Sequence, residues 1–423
     1  MTVSGEDGNL VVRTGSSSPD WSRRYQPKLI NLCGGDGEHC GYRINPPSGS
    51  DKECWQCGPE LHAVYYALRA YCIISVADRQ NTCRPLLFHR HSIGACSVKD
   101  QYGRQISYLR ISVTDRCNLR CRYCMPVEQR GFVPSEDVLT PFEIEQLARA
   151  AVSVGFEKLR LTGGEPTLRR DIVEIVERLA GVPGVRELLM TTNGIRLPWL
   201  ADPLARAGLR RVNIHVDSLD EAHLARLTRF NVVHKVWAGI ESAERAGLRP
   251  VKLNAVVVRG HNEEDVVGLT RLTLEREWHV RFIELMPLGE PAGFALDHFV
   301  PTQESMDRIE RVLGPLLPLN DGKLQGEARL YRLDGGRGSV GFISPVSHPY
   351  CDSCNHMRVT ADGRIRLCLL SEEELSVRDV LRGGGSIQDL AALFRRAVTC
   401  KPSGSQLDQG VFPANRAMVR IGG

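Results

Sequence analysis

The sequence has no apolar run approaching the ~18 residues that a membrane span needs. Its opening stretch, MTVSGEDGNL, is acidic and polar and lacks the basic and apolar blocks of a signal or transit peptide. Cytosol is therefore the expected compartment. Nor is there an excess of one charge: 54 Lys and Arg stand against 50 Asp and Glu, a net charge of +4. That balance gives no electrostatic case for duplex nucleic acid, and it leaves room for a small anionic ligand.

Cysteine, by contrast, is plentiful. There are 14, and they cluster: seven within 33–96, three at 117–124, three at 351–368, and Cys400 alone. In a reducing compartment such thiols serve as ligands or inert buried groups more often than as bridges. A length of 423 residues suggests about two folding units, and 42% hydrophobic residues suffice for a real core.

Residues 1–98 read as an irregular, Cys-rich extension. Gly, Ser and Pro recur there without periodicity, only Leu61 to Val76 could form a helix or a strand pair, and the sole Cys-x2-Cys is Cys54 and Cys57. A zinc or redox module and a mis-set translation start are both open readings.

From Gln105 the texture changes. QISYLRISV, FEKLRLT, VRELLMT, LRRVNIHV, PVKLNAVVV and VRFIELMP read as strands, separated by amphipathic stretches. Thr140 is a candidate N-cap with Pro141 in the first turn behind it, and Gly181 a helix stop. Strands alternating with helices predict parallel βα units with right-handed crossovers. The expected fold is α/β: a partial (βα)6, TIM-like barrel over 99–300. A smaller mixed C-terminal region over 301–423 follows it. Chemistry is then expected at the C-terminal strand ends.

The loop after the first strand, CNLRCRYC, carries Cys117, Cys121 and Cys124. Arg116, Arg120 and Arg122 make it electropositive, a setting expected to favour thiolates. Three adventitious thiols, or zinc with a borrowed fourth ligand, are the plain alternatives. A four-iron cluster normally takes four thiolates, so three leave one iron open. After the second strand comes LTGGEP, in which Gly163 and Gly164 permit close backbone approach and Glu165 offers an acceptor for an ammonium group. Cys351, Cys354 and Cys368 repeat the three-thiol count; a zinc fragment with His348 or His356 is the plain reading there.

The C-x3-C-x2-C loop resembles that of the radical S-adenosylmethionine (SAM) superfamily. The resemblance implies that SAM chelates the open iron and yields a 5′-deoxyadenosyl radical, with Tyr123 beside the adenine and Glu165 on the SAM amino group. Across about 99–423, GRQISYLRISVTDRCNLRCRYCMP, LRLTGGEPTLRRD, GLRRVNIHVDSL, RFIELMP, SPVSHPYCDSCNHMRVTADGRIRLCLL and the terminal Gly-Gly occur in order. Together they are similar to the GTP 3′,8-cyclase family, radical SAM lyases of molybdenum-cofactor biosynthesis.

This second resemblance implies two 4Fe-4S clusters: one on Cys117, Cys121 and Cys124, and an auxiliary one on Cys351, Cys354 and Cys368 facing the guanine. It implies SAM contacts at Gly164, His215 and Met286. GTP contacts are implied at Arg110, Arg160, Thr191, Lys252, His356 and Arg358, with Arg281, Gly422 and Gly423 in the catalytic pocket. Implied partners are GTP, a reductant such as flavodoxin or ferredoxin, and the pyranopterin monophosphate synthase that takes the product. No nucleic-acid or membrane partner is implied, and a homodimer is one option for assembly. Arginine forks and lysine suit the triphosphate, and Arg110, Arg160, Lys252 and Arg281 share one phase on four predicted strands. Two positions depart from the family: His215 replaces a usual serine and His356 a usual arginine. A different radical SAM enzyme with an auxiliary cluster, such as a peptide maturase, is the alternative reading. A zinc-stabilised binding module is the rival from another class.

Overall fold

The computed structural model describes residues 2–6, 9–13, 30–33, 40–43, 99–126, 131–289 and 292–423. Two units divide the chain, 1–91 and 92–423. In the first, Thr2–Glu6 pairs antiparallel with Asn9–Arg13, and Ile30–Cys33 with Cys40–Arg43. Among its described residues this region thus holds two two-stranded antiparallel sheets. Cys54, Cys57 and the stretch 61–76 lie outside the described residues.

The second unit follows the alternation in the sequence. Its strands are β1 (Tyr108–Ser112), β2 (Lys158–Thr162), β3 (Glu187–Thr192), β4 (Arg211–His215), β5 (Lys252–Val257) and β6 (His279–Glu284). Between them lie α1 (Pro141–Ser153), α2 (Ile172–Ala180), α3 (Leu197–Arg206), α4 (Glu221–Thr228), α5 (Val233–Arg245) and α6 (Asp265–Glu275). Helix α1 starts where the sequence says. Thr140 Oγ1 accepts from the Glu143 amide at 3.2 Å, and Glu143 returns the bond at 2.8 Å, a capping box with Pro141 in its first turn. The short α4, unforeseen, begins on Asp220, whose carboxylate caps the His223 amide.

The sheet does not stop at six strands. After α7 (Ala292–Asp297) and α8 (Thr302–Leu313) come β7 (Leu317–Pro318), β8 (Leu324–Gln325), β9 (Ala328–Arg332) and β10 (Ser339–Ile343), then β11 (His356–Val359), β12 (Arg364–Arg366) and β13 (Glu374–Ser376). Strand β10 pairs parallel with β6, and β11 pairs parallel with β1. Two strands of the C-terminal region thus extend the parallel sheet at opposite edges. The result is an open arc in the order β10-β6-β5-β4-β3-β2-β1-β11, not a closed barrel. Helices α9 (Val377–Arg382), α10 (Ile387–Thr399) and α11 (Met418–Ile421) follow.

Side chains alternate along each strand. On β5, Leu253, Ala255 and Val257 are buried, while Lys252, Asn254 and Val256 line the cavity inside the arc. On β6, Val280 and Phe282 join the core, whereas Arg281 and Ile283 line that cavity. The outward set packs with Ile144, Leu147, Ile175, Leu204 and Ile240 of the helices into one core. That apolar burial, worth about 25 cal/mol per Å², fixes which residues must face inward.

Candidate active site

One cavity of about 510 Å³ lies inside the arc. It is bordered by both sets of three cysteines and by every polar side chain predicted from the strands. Parallel register aligns them. Arg358, Arg110 and Arg160 are Cα partners across β11, β1 and β2, and Thr191, Asn213 and Lys252 are partners across β3, β4 and β5. Arg160 donates from Nε to the Tyr108 hydroxyl and from Nη1 to Thr191 Oγ1 at 3.3 Å.

This cluster is cationic and under-partnered. Nε of Arg110, Nε and Nη2 of Arg281, and Nε of Arg358 are buried without a hydrogen-bond partner. Burial, then mutual repulsion, lowers Arg281 to about 10 and Arg358 to about 9. Lys252 falls to about 7, first through desolvation and then through Arg281, Arg211 and Arg160. Buried donors without acceptors are costly, and an anionic ligand would satisfy them.

At the C-terminal strand ends, Cys117, Cys121 and Cys124 are half-buried free thiols. The expectation that nearby arginines favour thiolates is not met. Arg120 Nη1 spends its hydrogen bonds on the carbonyls of Cys117 and Leu119, and Arg122 Nε on that of Arg226. Desolvation outweighs what remains: Cys117 rises to about 11, and Cys121 and Cys124 also rise. A bound metal cluster would have to hold these sulfurs as thiolates.

Gly163 and Gly164 run against the cysteine loop. A Cβ on either would fall 2.5 Å from the carbonyl oxygen of Thr114 or Arg116. Glu165 is buried, its Oε1 accepting from Thr167 N (3.0 Å), Thr167 Oγ1 (2.5 Å) and Thr192 Oγ1 (2.7 Å), and its Oε2 from Asn193 N (2.7 Å). Met286 lines the same end. His215 Nε2 lies 2.5 Å from the Tyr123 hydroxyl and 2.9 Å from Asp217 Oδ2, and Tyr123 donates to that same oxygen at 2.6 Å. Burial disfavours the imidazolium, but the Asp217 carboxylate raises His215 above its ordinary value. The imidazole is thus a partner of Tyr123 and Asp217.

The second cysteine set is held by residues that the sequence did not announce. Arg104 donates from Nη1 to the carbonyls of Cys351 and Ser403 (both 2.8 Å), and from Nη2 to that of Pro402 (2.6 Å), while Asp100 neutralises it. Lys401 is buried and donates to the carbonyls of His356 (3.0 Å) and Leu367 (2.9 Å). His356 stands between two groups, with Nδ1 3.8 Å from Cys354 Sγ and Nε2 3.5 Å from Glu327. Although burial pushes the Cys354 thiol up, His356 and Lys401 bring it down to about 6. No spacing pattern flags Arg104, Lys401 or Glu327. Each acts through a contact more than 25 residues away in sequence.

The chain terminus closes the floor. Gly422 is buried, with φ +92°, and Gly423 lines the cavity. Among the described residues, no three His, Cys, Asp or Glu side chains converge on a single-ion position. The donor sets themselves, three thiols each in a partly dry pocket, suit iron–sulfur ligation.

Residues 111–273 match the model of the radical SAM superfamily, and 278–407 the model described as Molybdenum Cofactor Synthesis C. The open α/β arc with its three-cysteine loop is that of a radical SAM enzyme. Curated relatives cover their whole length here: the GTP 3′,8-cyclase of Moorella thermoacetica is 47% identical over 326 residues, and that of Pelotomaculum thermopropionicum 45% over 326, each spanning 77% of this chain and 100% of the relative. The chain belongs to the GTP 3′,8-cyclase family. Among solved structures, Streptococcus suis SuiB bound to precursor peptide SuiA is 14% identical, with a TM-score of 0.48 over 79% of this chain and 80% of that one; so loose a likeness carries no weight.

Proposed function

We propose that the protein cyclises GTP to (8S)-3′,8-cyclo-7,8-dihydroguanosine 5′-triphosphate in molybdenum-cofactor biosynthesis, joining C3′ of the ribose to C8 of guanine. The observation that carries this reading is the cavity. Two three-thiol sets and a row of unpartnered guanidinium N–H groups open onto one enclosed space.

Cys117, Cys121 and Cys124 would hold the SAM-binding cluster, and Cys351, Cys354 and Cys368 an auxiliary one. When bound, cluster and SAM supply one-electron reductive cleavage to a 5′-deoxyadenosyl radical. The chain's own residues do the rest. Gly163 and Gly164 would let the SAM amino acid come close to backbone, with Glu165 and Met286 bordering it. Tyr123, within the cluster loop and backed by His215 and Asp217, would stand beside the adenine. Lys252, Arg281 and Arg160 would gather the triphosphate, and Arg110, already beside Glu327, is a further contact to the nucleotide. Arg358 and the Gly-Gly tail shape the floor beside the ribose. Held in one orientation, C3′ and C8 meet at an effective concentration that free GTP never has.

A reductant such as flavodoxin or ferredoxin would deliver the electron, and a pyranopterin monophosphate synthase would take the product. Among the described residues no helix is long and apolar enough to cross a membrane. The alignment to these relatives takes in 326 residues, 77% of this chain; full activity in a chain begun at Val98 would show that the preceding segment takes no part, and loss of activity would show that it does.

The test is anaerobic reconstitution followed by incubation with SAM, GTP and dithionite. Formation of 5′-deoxyadenosine that depends on GTP is expected. Its absence, with iron content intact, overturns the reading.

A further inference from the structure

The charged side chains of the cavity walls are mostly cationic, and the carboxylates among them are the exception. Glu327 sits at the two-residue tip Gly326-Glu327 between β8 and β9, where Gly326 takes φ +69°. Three carboxylates line the cavity. Glu165 is filled by four protein donors, and Glu187 pairs with Lys158 at 3.0 Å. Glu327 uses one oxygen only: Oε1 lies 3.4 Å from Arg110 Nη1 and 3.5 Å from His356 Nε2. Among the described residues, Oε2 has no hydrogen-bond partner.

Its place narrows what Oε2 can meet. A carboxylate repels phosphate, so Oε2 is not expected to meet the triphosphate, although Glu327 belongs to the same charge cluster as Arg281 and Arg160. Through His356, Glu327 adjoins Cys354 and hence the auxiliary cysteines. On the reading that these cysteines face the guanine, Oε2 would meet the base, the part of the nucleotide furthest from the phosphates. In the free protein water can reach Oε2, and a base that displaces that water must offer a donor in its place. On guanine, the exocyclic 2-amino group is one that hypoxanthine lacks.

We propose that Glu327 is a specificity-determining residue whose carboxylate accepts a hydrogen bond from the guanine 2-amino group, an inference that rests on GTP being the substrate. Arg110 and His356 hold the carboxylate in place from its other oxygen. A nucleotide without the amino group leaves Oε2 unpaired, and sites built to bind a polar group reject analogues that lack it. Position 356 gains a second meaning: an imidazole there can orient Glu327 on one ring nitrogen while facing Cys354 on the other.

Equilibrium dialysis of GTP, inosine triphosphate and 2′-deoxyGTP tests this with reconstituted enzyme under anaerobic conditions, without reductant, so that no turnover is needed. Wild type is expected to bind GTP about ten-fold tighter than inosine triphosphate. In Glu327→Ala the two should fall within about two-fold of each other, with Glu327→Gln between, while the ratio of GTP to 2′-deoxyGTP stays put. The tip is half-exposed, so neither variant threatens the fold; unchanged thermal melting and iron content check this. An unshifted GTP-to-inosine ratio in both variants overturns the inference alone. A shift confined to the 2′-deoxyGTP ratio also overturns it, assigning Glu327 to the ribose. Wild-type protein that binds no GTP overturns the substrate reading and the inference together.

Discussion

Arg358 donates from Nη1 to the carbonyl oxygen of Gly422 at 2.6 Å, which holds the penultimate residue of the chain against the inner face of the sheet. The seat is cut for glycine. Gly422 has φ +92°, and a Cβ there would lie 2.6 Å from Thr162 Oγ1 and 2.8 Å from Ser112 Cβ. Gly422→Ala should therefore unseat the tail while sparing the core. Cyclase activity is expected to fall by about 100-fold, the scale of a misplaced positioning group, with the melting temperature within about 2 °C of wild type. Full activity in this variant would show that the tail takes no part.

Lys252 gives a pH signature. Its folded value of about 7 lies below the usual lysine range because burial and neighbouring guanidinium groups oppose its charge. The unfolded chain titrates near ~10.4, so between these values it binds the extra proton. This group's contribution to stability therefore rises with pH from about 7 to 10, and its penalty is complete below 7. Urea titrations at pH 7 and 9 should show that slope in the apo-protein, reduced in Lys252→Met. A triphosphate restores the charged form, so GTP binding at pH 8 should take up a proton, measurable by calorimetry in buffers of different ionisation enthalpy. Lys252→Met should abolish the uptake.

The two cysteine sets predict separable clusters. Fully reconstituted wild type should hold about eight irons, four per cluster. Changing Cys351, Cys354 and Cys368 to Ala should leave about four, still able to bind SAM. Changing Cys117, Cys121 and Cys124 should leave about four that cannot. An auxiliary variant that keeps the wild-type iron count would remove the second cluster from the mechanism.

Glu284, at the end of β6, ties the loop after β10 to the sheet. It accepts from the amides of Thr302 (2.9 Å), Val346 (3.1 Å) and Ser347 (2.9 Å), and from both hydroxyls of Thr302 and Ser347. Glu284→Ala orphans these donors, of which Ser347 can turn to water. A loss of about 2 kcal/mol in unfolding free energy is expected, read by urea denaturation. A change below ~0.5 kcal/mol would mean that the loop is held elsewhere.

The strand–helix alternation is legible in the amino-acid order alone, because apolar side chains repeat with periods set by local backbone geometry. So are the cysteine loop and the Gly-Gly-Glu turn, for the same reason: their chemistry depends on neighbours a few residues away. Helix starts such as Thr140 were legible because a cap is a local hydrogen bond. The amino-acid order also carried Arg110, Arg160, Lys252 and Arg281 as one phase, since alternation along a strand is fixed at two.

What those residues meet is set by the folded chain. Strands β10 and β11 join opposite edges of the sheet through pairings across more than 50 and more than 200 residues, and no local signal records a partner so distant. The same holds for Arg104 beneath Cys351, for His215 turned onto Tyr123 and Asp217, and for Glu327 set among cations. Charge effects followed the same division. The arginines of the cysteine loop promised thiolates on sequence grounds, yet burial reversed that promise at Cys117, because desolvation is a property of the folded surroundings and not of neighbours along the chain.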